Sequence, residues 1–233
     1  SAGKIMNNLA AAIYKQGEEA NRVEDYRTAA DHFLRIATAA PGSEIRPIAQ
    51  YDAASALIHL SHWSEAASVL ESFRNAYPEH ELSAEATRQV AFVYREDGNL
   101  ARAAEEYVRV ADEAKELELR REALLVAAEL YEEAELITEA LATFDTYVTQ
   151  FTKPIEPAVV ARFKMAELFH KAGNEISRRS ELEKIVAIDR SAGDERTDGV
   201  RIYAARSALT LSEETYDQFS EIELTLPFEK SLE

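Results

Sequence analysis

Two histidines and a glutamate have a spacing that could bind a metal ion. His59 and His62 are three residues apart, so their imidazoles can share one face of a helix, and Glu65 is nearby. His62, however, comes where a predicted helix gives way to a turn. We therefore favour the interpretation that these are polar residues beside an inter-helix turn. The sequence predicts no metal site and no cofactor.

Carboxylates are concentrated between residues 112 and 135, where nine acidic side chains accompany three basic ones. This density could bind calcium or a basic partner, but a solvated helical face is the favoured interpretation. Paired glutamates at the spacing used for glycoside hydrolysis also arise on repeat helices for no catalytic reason. Phosphate-binding glycine loops, HExxH, GxSxG and EF-hand motifs do not occur in the sequence. The sequence therefore predicts a protein that is not an enzyme.

The composition argues against several classes of partner. The 233 residues include 26 basic and 43 acidic side chains, and the formal charge of −17 repels nucleic-acid phosphates and anionic lipid surfaces. No run approaches the ~20 consecutive apolar residues that span a bilayer. The absence of cysteine excludes disulfides and thiolate metal sites. We expect a soluble protein that neither binds nucleic acid nor inserts into a membrane.

A repeat organises most of the chain. Ala29, Ala66, Ala103 and Ala140 recur at intervals of 37 residues, and bulky residues stand three positions before and four positions after each alanine. The bulky residues are Tyr26, Trp63, Leu100 and Ile137 before the alanines, and Phe33, Leu70, Tyr107 and Phe144 after them. This spacing places all three side chains on one helical face, with the alanine where a neighbouring helix can approach closely. A second amphipathic stretch precedes each of these helices, which predicts helix pairs.

The predicted fold is all-α, a right-handed superhelical solenoid of antiparallel helix pairs. It forms a single domain over residues 1–233, and both ends of the sequence look like cuts in a longer protein. About five repeats are predicted, at approximately 7–43, 44–80, 81–117, 118–155 and 156–192, followed by a capping helix at 200–222. Ala114 is expected to be exposed. The apolar face that caps the array is expected to consist of Ile202, Tyr203, Leu209 and Tyr216.

The fifth repeat departs from the pattern. Arg178 occupies the position where the other repeats have an alanine. Because burial of an arginine is costly, we expect its helix to pack less closely than the others. Residues 191–199, rich in Ser, Gly and Asp, are expected to form a longer loop.

Several repeat positions resemble the tetratricopeptide repeat (TPR) consensus. They are Gly17, Tyr26, Ala29, Phe33 and Pro41 in the first repeat, and Trp63, Ala66 and Pro78 in the second. The segment from Phe73 to Ala86 is similar to repeats of bacterial envelope proteins, namely outer-membrane assembly lipoproteins and Tol-associated coordinators. These resemblances imply a protein-binding scaffold within a bacterial multiprotein envelope assembly. The implied location is the periplasm or cell envelope, with the cytoplasm as the alternative.

In TPR arrays the first helix of each pair lines a concave groove, and the resemblance places partner-binding residues there. These residues are Tyr14, Glu18, Asn21, Tyr51, Ser55, Ile58, Arg88, Phe92, Arg95, Leu125, Glu129, Glu132, Phe163, Glu167 and His170. The alternative role for the aromatic residues among them is partial burial between neighbouring helices.

TPR receptors that bind the acidic C-termini of heat-shock chaperones use a clamp of lysine and asparagine. The clamp asparagine is replaced here by Glu18, Ser55, Phe92, Glu129 and Glu167. A carboxylate-terminated peptide is therefore not the predicted ligand. The predicted partner is a protein or peptide with apolar anchors and basic flanks.

Two other functions remain open from the sequence. The chain could be a structural spacer or self-association segment of a larger repeat protein. An enzyme with an unrecognised site is the third possibility. The sequence does not predict the oligomeric state.

Overall fold

The computed structural model describes residues 2–220, which contain eleven α-helices and no strand. The chain divides into two compact units between Leu136 and Ile137. The first unit contains seven helices: α1 (Ala2–Arg22), α2 (Tyr26–Ala39), α3 (Arg46–His59), α4 (Trp63–Ala76), α5 (Ser83–Glu96), α6 (Leu100–Glu113) and α7 (Leu117–Glu133). Consecutive helices of this unit pack against each other, which confirms the predicted all-α helical repeat.

The second unit contains the remaining helices. They are α8 (Ile137–Gln150), α9 (Ile155–Lys171), α10 (Glu175–Ser191) and α11 (Asp198–Ser220), with a short 3-10 turn at Gly193–Glu195. Residues 221 and 222 of the predicted final helix lie outside the described residues. None of the described helices is long and apolar enough to cross a bilayer. The assignment of residues 1–233 to a single domain stays a prediction.

The bulky residues before the repeated alanines mark helix starts. Tyr26, Trp63, Leu100 and Ile137 are the first residues of α2, α4, α6 and α8. The alanines that follow them are fully buried. Small side chains at these positions let adjacent helices approach closely, and the large apolar side chains one turn later fill the space beside them.

Gly17 shows how tight this packing is. A Cβ atom added at Gly17 would lie 2.5 Å from Cε1 of the buried Phe33 ring, so α1 and α2 can approach only because this residue has no side chain.

The expectation that Ala114 is exposed was wrong, since it is 7% exposed. The chain turns back after α6, and Arg120 donates hydrogen bonds to the carbonyl oxygens of Ala111 and Ala114 at 3.2 and 3.0 Å.

The turns between the two helices of each pair share one backbone geometry. The residue in the left-handed region is Glu24, Ser61, Gly98, Glu135 or Gly173, with φ between 56° and 75°. In the second pair, the Ser61 N–H donates to Ile58 O at 2.9 Å and the His62 N–H donates to Leu57 O at 3.0 Å. This is the Schellman arrangement, which closes a helix through a left-handed residue.

The left-handed position gives a prediction for stability. Replacing Ser61 by glycine removes the steric cost of a Cβ at positive φ, so Ser61→Gly should raise the free energy of unfolding by about 0.5–1 kcal/mol. The matched change at the same position of the next pair, Gly98→Ala, should lower it by a similar amount. Denaturant unfolding of both variants measures the two effects. Destabilisation by Ser61→Gly would show that backbone entropy outweighs the steric cost.

A buried ion pair connects the second helices of two adjacent pairs. Glu106 on α6 is 4% exposed, and both of its oxygens accept hydrogen bonds from Arg74 on α4, at 2.5 and 3.1 Å. Arg109 adds a contact at 3.3 Å. The bidentate geometry compensates for removing the carboxylate from water, and the Glu106 hydrogen bond raises the pKa of the Arg74 guanidinium.

Breaking this pair should be costly because it leaves Arg74 half-buried without its main partner. We expect Glu106→Ala to reduce the free energy of unfolding by about 3–5 kcal/mol. The control is Glu105→Ala on the same helix turn, whose side chain is 55% exposed and lies 3.4 Å from Arg102. That change should stay within about 1 kcal/mol. Equal effects in thermal or denaturant unfolding would contradict a structural role for the buried pair.

The final helix differs from the sequence-based expectation. Ile202, Leu209 and Tyr216 are 58%, 60% and 69% exposed, so they do not cap the array as predicted. The covered face of α11 instead has small residues such as Val200 and Ala204, which allow it to approach α9 and α10. Of the predicted apolar face, Tyr203 alone is partly buried; its ring centroid lies 5.1 Å from that of Phe163.

Candidate partner-binding surfaces

The predicted partner-binding residues lie on the first helix of each pair, in sets of three. The spacing within each set is four and then three residues, which places its members on one helical face. In the first unit the sets are Tyr14, Glu18 and Asn21 on α1; Tyr51, Ser55 and Ile58 on α3; Arg88, Phe92 and Arg95 on α5; and Leu125, Glu129 and Glu132 on α7. In the second unit Phe163, Glu167 and His170 lie on α9. Their role in binding stays a prediction.

Tyr14 and Tyr51 contribute to packing between helices. The Tyr14 ring centroid lies 5.1 Å from that of Phe33, and the Tyr51 ring centroid lies 5.9 Å from that of Phe73. Both tyrosines are half-buried, which matches the alternative role considered for the aromatic residues. The Tyr14 hydroxyl donates a short hydrogen bond to the carboxylate of Asp52 on α3, and so connects the first two helix pairs.

Burial and this hydrogen bond have opposite effects on Asp52. Burial raises the pKa of the Asp52 carboxyl group, the Tyr14 hydrogen bond lowers it, and the nearby Glu18 charge raises it further. Burial, followed by the contact with Asp52, raises the pKa of the Tyr14 phenol. The hydroxyl therefore supports an ionised carboxylate in a site that disfavours charge. Sequence spacing gave no sign that Asp52 has this contact.

Removing the hydroxyl should have a pH-dependent cost. Tyr14→Phe should lower the free energy of unfolding by about 1–2 kcal/mol at pH 7, because ionised Asp52 loses its donor. Since the folded-state pKa of Asp52 is raised, the carboxyl group is protonated as pH falls through that pKa, and the cost should shrink there. Tyr51→Phe, at the same position of the next pair, should show no such pH dependence, since its hydroxyl has no hydrogen bond within the described part of the chain. Thermal unfolding across acidic to neutral pH measures both variants.

Helix α5 presents an exposed aromatic ring between two arginines. Phe92 is 39% exposed and meets Trp63 edge-on, with 6.2 Å between ring centroids. Arg88 and Arg95 are exposed one turn on either side, and Arg88 donates to Glu85 at 2.8 Å through Nε. This face can contact an apolar side chain and still offer donors to neighbouring polar groups.

The other two sets of the first unit are less uniform. Ile58 and Leu125 are half-buried, and Ile58 packs against the hydrophobic core. The Ser55 hydroxyl donates to the carbonyl oxygen of Tyr51 at 3.4 Å. Glu129 is exposed and Glu132 half-buried. These helices therefore present small and acidic groups where α5 presents an aromatic ring.

The three predicted residues of the second unit line one cavity. Its volume is about 470 Å3, and α9, α10 and α11 all contribute to its walls. The lining residues are Phe163, Ala166, Glu167, His170, Lys171, Arg178, Leu182, Arg206 and Thr210. Apolar groups from α9 and α10 thus share this space with several cations and one carboxylate.

Arg178 is held by carboxylates on two helices. Its guanidinium lies 2.8 Å from Glu175 on its own helix and 3.3 Å from Glu214 on α11, and the side chain is 21% exposed. Glu175 also contacts His170 Nδ1 at 2.6 Å, and the hydrogen bonds from Arg178 and His170 lower the pKa of the Glu175 carboxyl group. Arg178, the arginine at the alanine position of the repeat, is therefore paired with carboxylates. One of them, Glu214, is on α11, a helix that repeat spacing could not place beside Arg178.

Arg206 forms part of the cavity wall by stacking on aromatic rings. Its guanidinium carbon lies 4.5 Å from the Phe163 ring centroid and 5.8 Å from that of Tyr203. A guanidinium that stacks on a ring can still donate hydrogen bonds through the N–H groups at its edge. Sequence analysis missed Lys171, Leu182 and Arg206 because they lie outside the repeat positions carried over from the TPR resemblance.

The candidate metal residues do not converge. His59 stacks on Tyr26 with 4.5 Å between ring centroids, while His62 Nδ1 lies 3.3 Å from a Glu65 oxygen. Across residues 2–220 no group of three metal-ligating side chains is close enough to hold an ion.

Most acidic residues between 112 and 135 are exposed, and Glu118 is paired with Arg121.

Comparisons with known proteins identify TPR structures among those that this chain is similar to. No protein-family model and no curated protein matches the sequence. A TPR protein from Parabacteroides merdae is 17% identical, with 89% of this chain and 79% of that chain covered and a TM-score of 0.47. A solved structure of TPR-like repeats from Podosopora anserina is 18% identical to this chain, with 81% of this chain and 98% of that chain covered and a TM-score of 0.44. The TPR2AB domain of yeast Sti1 in complex with pHSP90 is 12% identical, with 90% and 86% covered and a TM-score of 0.40. The fold assignment itself rests on the helix pairs described above.

Proposed function

We propose that this chain is a non-catalytic protein-interaction scaffold. It binds an extended or helical protein segment through the first helices of its repeats, within a bacterial multiprotein envelope assembly in the periplasm. The segment has apolar anchors and basic flanks. The envelope setting is supported by the sequence resemblance of residues 73–86 to repeats of envelope proteins.

The cavity of the second unit is the observation that carries this proposal. Phe163, Glu167 and His170 were assigned to partner binding from repeat positions alone, and all three line the same space of about 470 Å3. Phe163 and the buried Leu182 provide apolar contact for an anchor side chain. The exposed Glu167 carboxylate provides a partner for a basic flank. A concave apolar surface with a few polar groups at its edge is typical of sites that bind a protruding side chain.

The exposed face of α5 gives a second apolar contact, and the carboxylates for a basic flank come from other helices. Phe92 offers an apolar surface there, and the acidic side chains Glu18 and Glu129 lie at corresponding repeat positions on α1 and α7. On its own, this contact contributes little affinity.

Site-specific photo-crosslinking in cells tests the proposal. A benzophenone amino acid at position 167 should capture a partner protein, because this residue is exposed in the cavity wall. The same probe at Arg190, exposed on α10 and outside the cavity, is the matched control and should capture far less. Identification of the adduct by mass spectrometry reveals whether the partner belongs to the cell envelope.

Two substitutions relate the captured partner to the cavity. Phe163→Ala removes the apolar floor and should weaken binding about tenfold, and Glu167→Lys should weaken a basic-flanked partner by a similar factor. Because Glu167 is exposed, its substitution should leave the melting temperature unchanged. Capture at both probe positions alike, or binding that neither substitution weakens, would contradict the proposal.

A further inference from the structure

Helix α11 has an uncovered apolar stripe on the face opposite its packed side. Ile202, Leu209 and Tyr216 recur every seven residues and are 58%, 60% and 69% exposed, and Phe219, at the next position of the stripe, is 72% exposed. Ala205 and Ser212 lie between them and are also exposed. These six residues occupy the a and d positions of a heptad pattern, which is the seam through which two helices pair. We call them the α11 stripe.

The packed side of the same helix shows that the α11 stripe is a separate surface. Val200, Ala204 and Ser207 are at most 5% exposed and contact the rest of the second unit. They follow their own spacing of four and three residues, on the other side of the helix axis. A surface helix of a monomer has one apolar face, whereas α11 has two.

The charges beside the stripe favour one partner and one orientation. Arg201 and Arg206 flank its N-terminal half, and Glu213 flanks its C-terminal half. A parallel pair of α11 helices would place Arg201 of one copy beside Arg206 of the other, which is repulsive. An antiparallel pair centred on Leu209 instead places Arg206 beside Glu213 of the other copy, twice by symmetry. It also brings Ile202 against Tyr216 of the other copy.

We propose that a second copy of this chain covers the α11 stripe, in an antiparallel homodimer with Leu209 at the two-fold axis. This self-complementary arrangement is the isologous contact that two-fold symmetry requires. The position of Arg206 over Phe163 is compatible with this intermolecular contact, because a stacked guanidinium can still donate through its edge. Arg206 also lines the cavity, but oligomeric state and partner capture are measured separately, so failure of one proposal does not decide the other.

Sedimentation velocity of the whole chain, over about two orders of magnitude in concentration, tests this inference. The wild type should pass from monomer to dimer. Leu209→Glu should weaken dimerisation by at least about a hundredfold, because it places two carboxylates together at the axis. The matched control is Ile176→Glu on α10, where an 87% exposed apolar residue lies outside the stripe. This variant should dimerise like the wild type.

A charge exchange tests the antiparallel register. Glu213→Arg should weaken dimerisation about tenfold, because it faces Arg206 of the other copy with a like charge. Adding Arg206→Glu should restore the wild-type dissociation constant. Circular dichroism verifies that every variant keeps its helix content.

Three results would overturn the proposal. The first is a wild type that stays monomeric at all concentrations, which would leave the stripe to another protein or to another part of a longer chain. The second is a dimer that Leu209→Glu does not weaken. The third is a double charge variant that dimerises no better than Glu213→Arg alone.

Discussion

The three-residue turn inside each helix pair is the constraint on which the repeat depends. In the pairs that lie within one unit, the turns span residues 23–25, 60–62, 97–99 and 172–174. Each uses a left-handed residue and closes with the same two hydrogen bonds to the preceding helix. The second helix therefore begins at the same rotational phase each time. A fixed phase decides which face of each helix is buried and which is presented to solvent, so binding positions recur with the repeat.

The buried carboxylates also occupy a repeated helix position, which the overall charge of −17 does not reveal. Glu106 on α6 and Glu181 on α10 stand at the same helix position, seven residues into the second helix of their pairs, and both are 4% exposed. Glu181 contacts Arg162 at 2.7 Å and Lys184 at 2.5 Å. Each buried glutamate thus has two cations, which compensates for its desolvation. The excess negative charge lies mostly on exposed faces, where it favours solubility and attracts basic partners.

Helix positions followed from the sequence because the periodic signal is local. The spacing of bulky residues around Ala29 and its equivalents predicted one helix in each repeat, and the structure shows that the bulky residue before each alanine is the first residue of α2, α4, α6 or α8. The turns were harder to recognise, since glycine marks the left-handed position at Gly98 and Gly173 but not in the other three turns. Long side chains were harder still. Repeat spacing defines a backbone, and it gives no information about where an arginine such as Arg74 or Arg178 finds its carboxylate.

The face of α11 was wrongly predicted for a related reason. Periodicity identified an amphipathic helix, but two apolar stripes of similar spacing run along it, and the larger residues were assumed to be the buried ones. The structure buries Val200, Ala204 and Ser207 instead, because small side chains permit closer contact with α9 and α10. The cavity beside Phe163 was foreseen only in part. Its α9 residues follow the repeat, whereas Arg206 comes from a helix that follows an irregular connection.

The contact between Arg74 and Glu106 has a consequence for how the first unit opens. A repeat array in which each helix contacts only its sequence neighbours can lose structure one pair at a time from either end. This ion pair joins α4 to α6 across the intervening α5, so neither pair can detach without exposing a charge that the other needs. The second and third pairs then behave as one cooperative block. Fraying from the N-terminal end would stop at this block, and the exposed face of α5 would remain in place while the helices before it fluctuate.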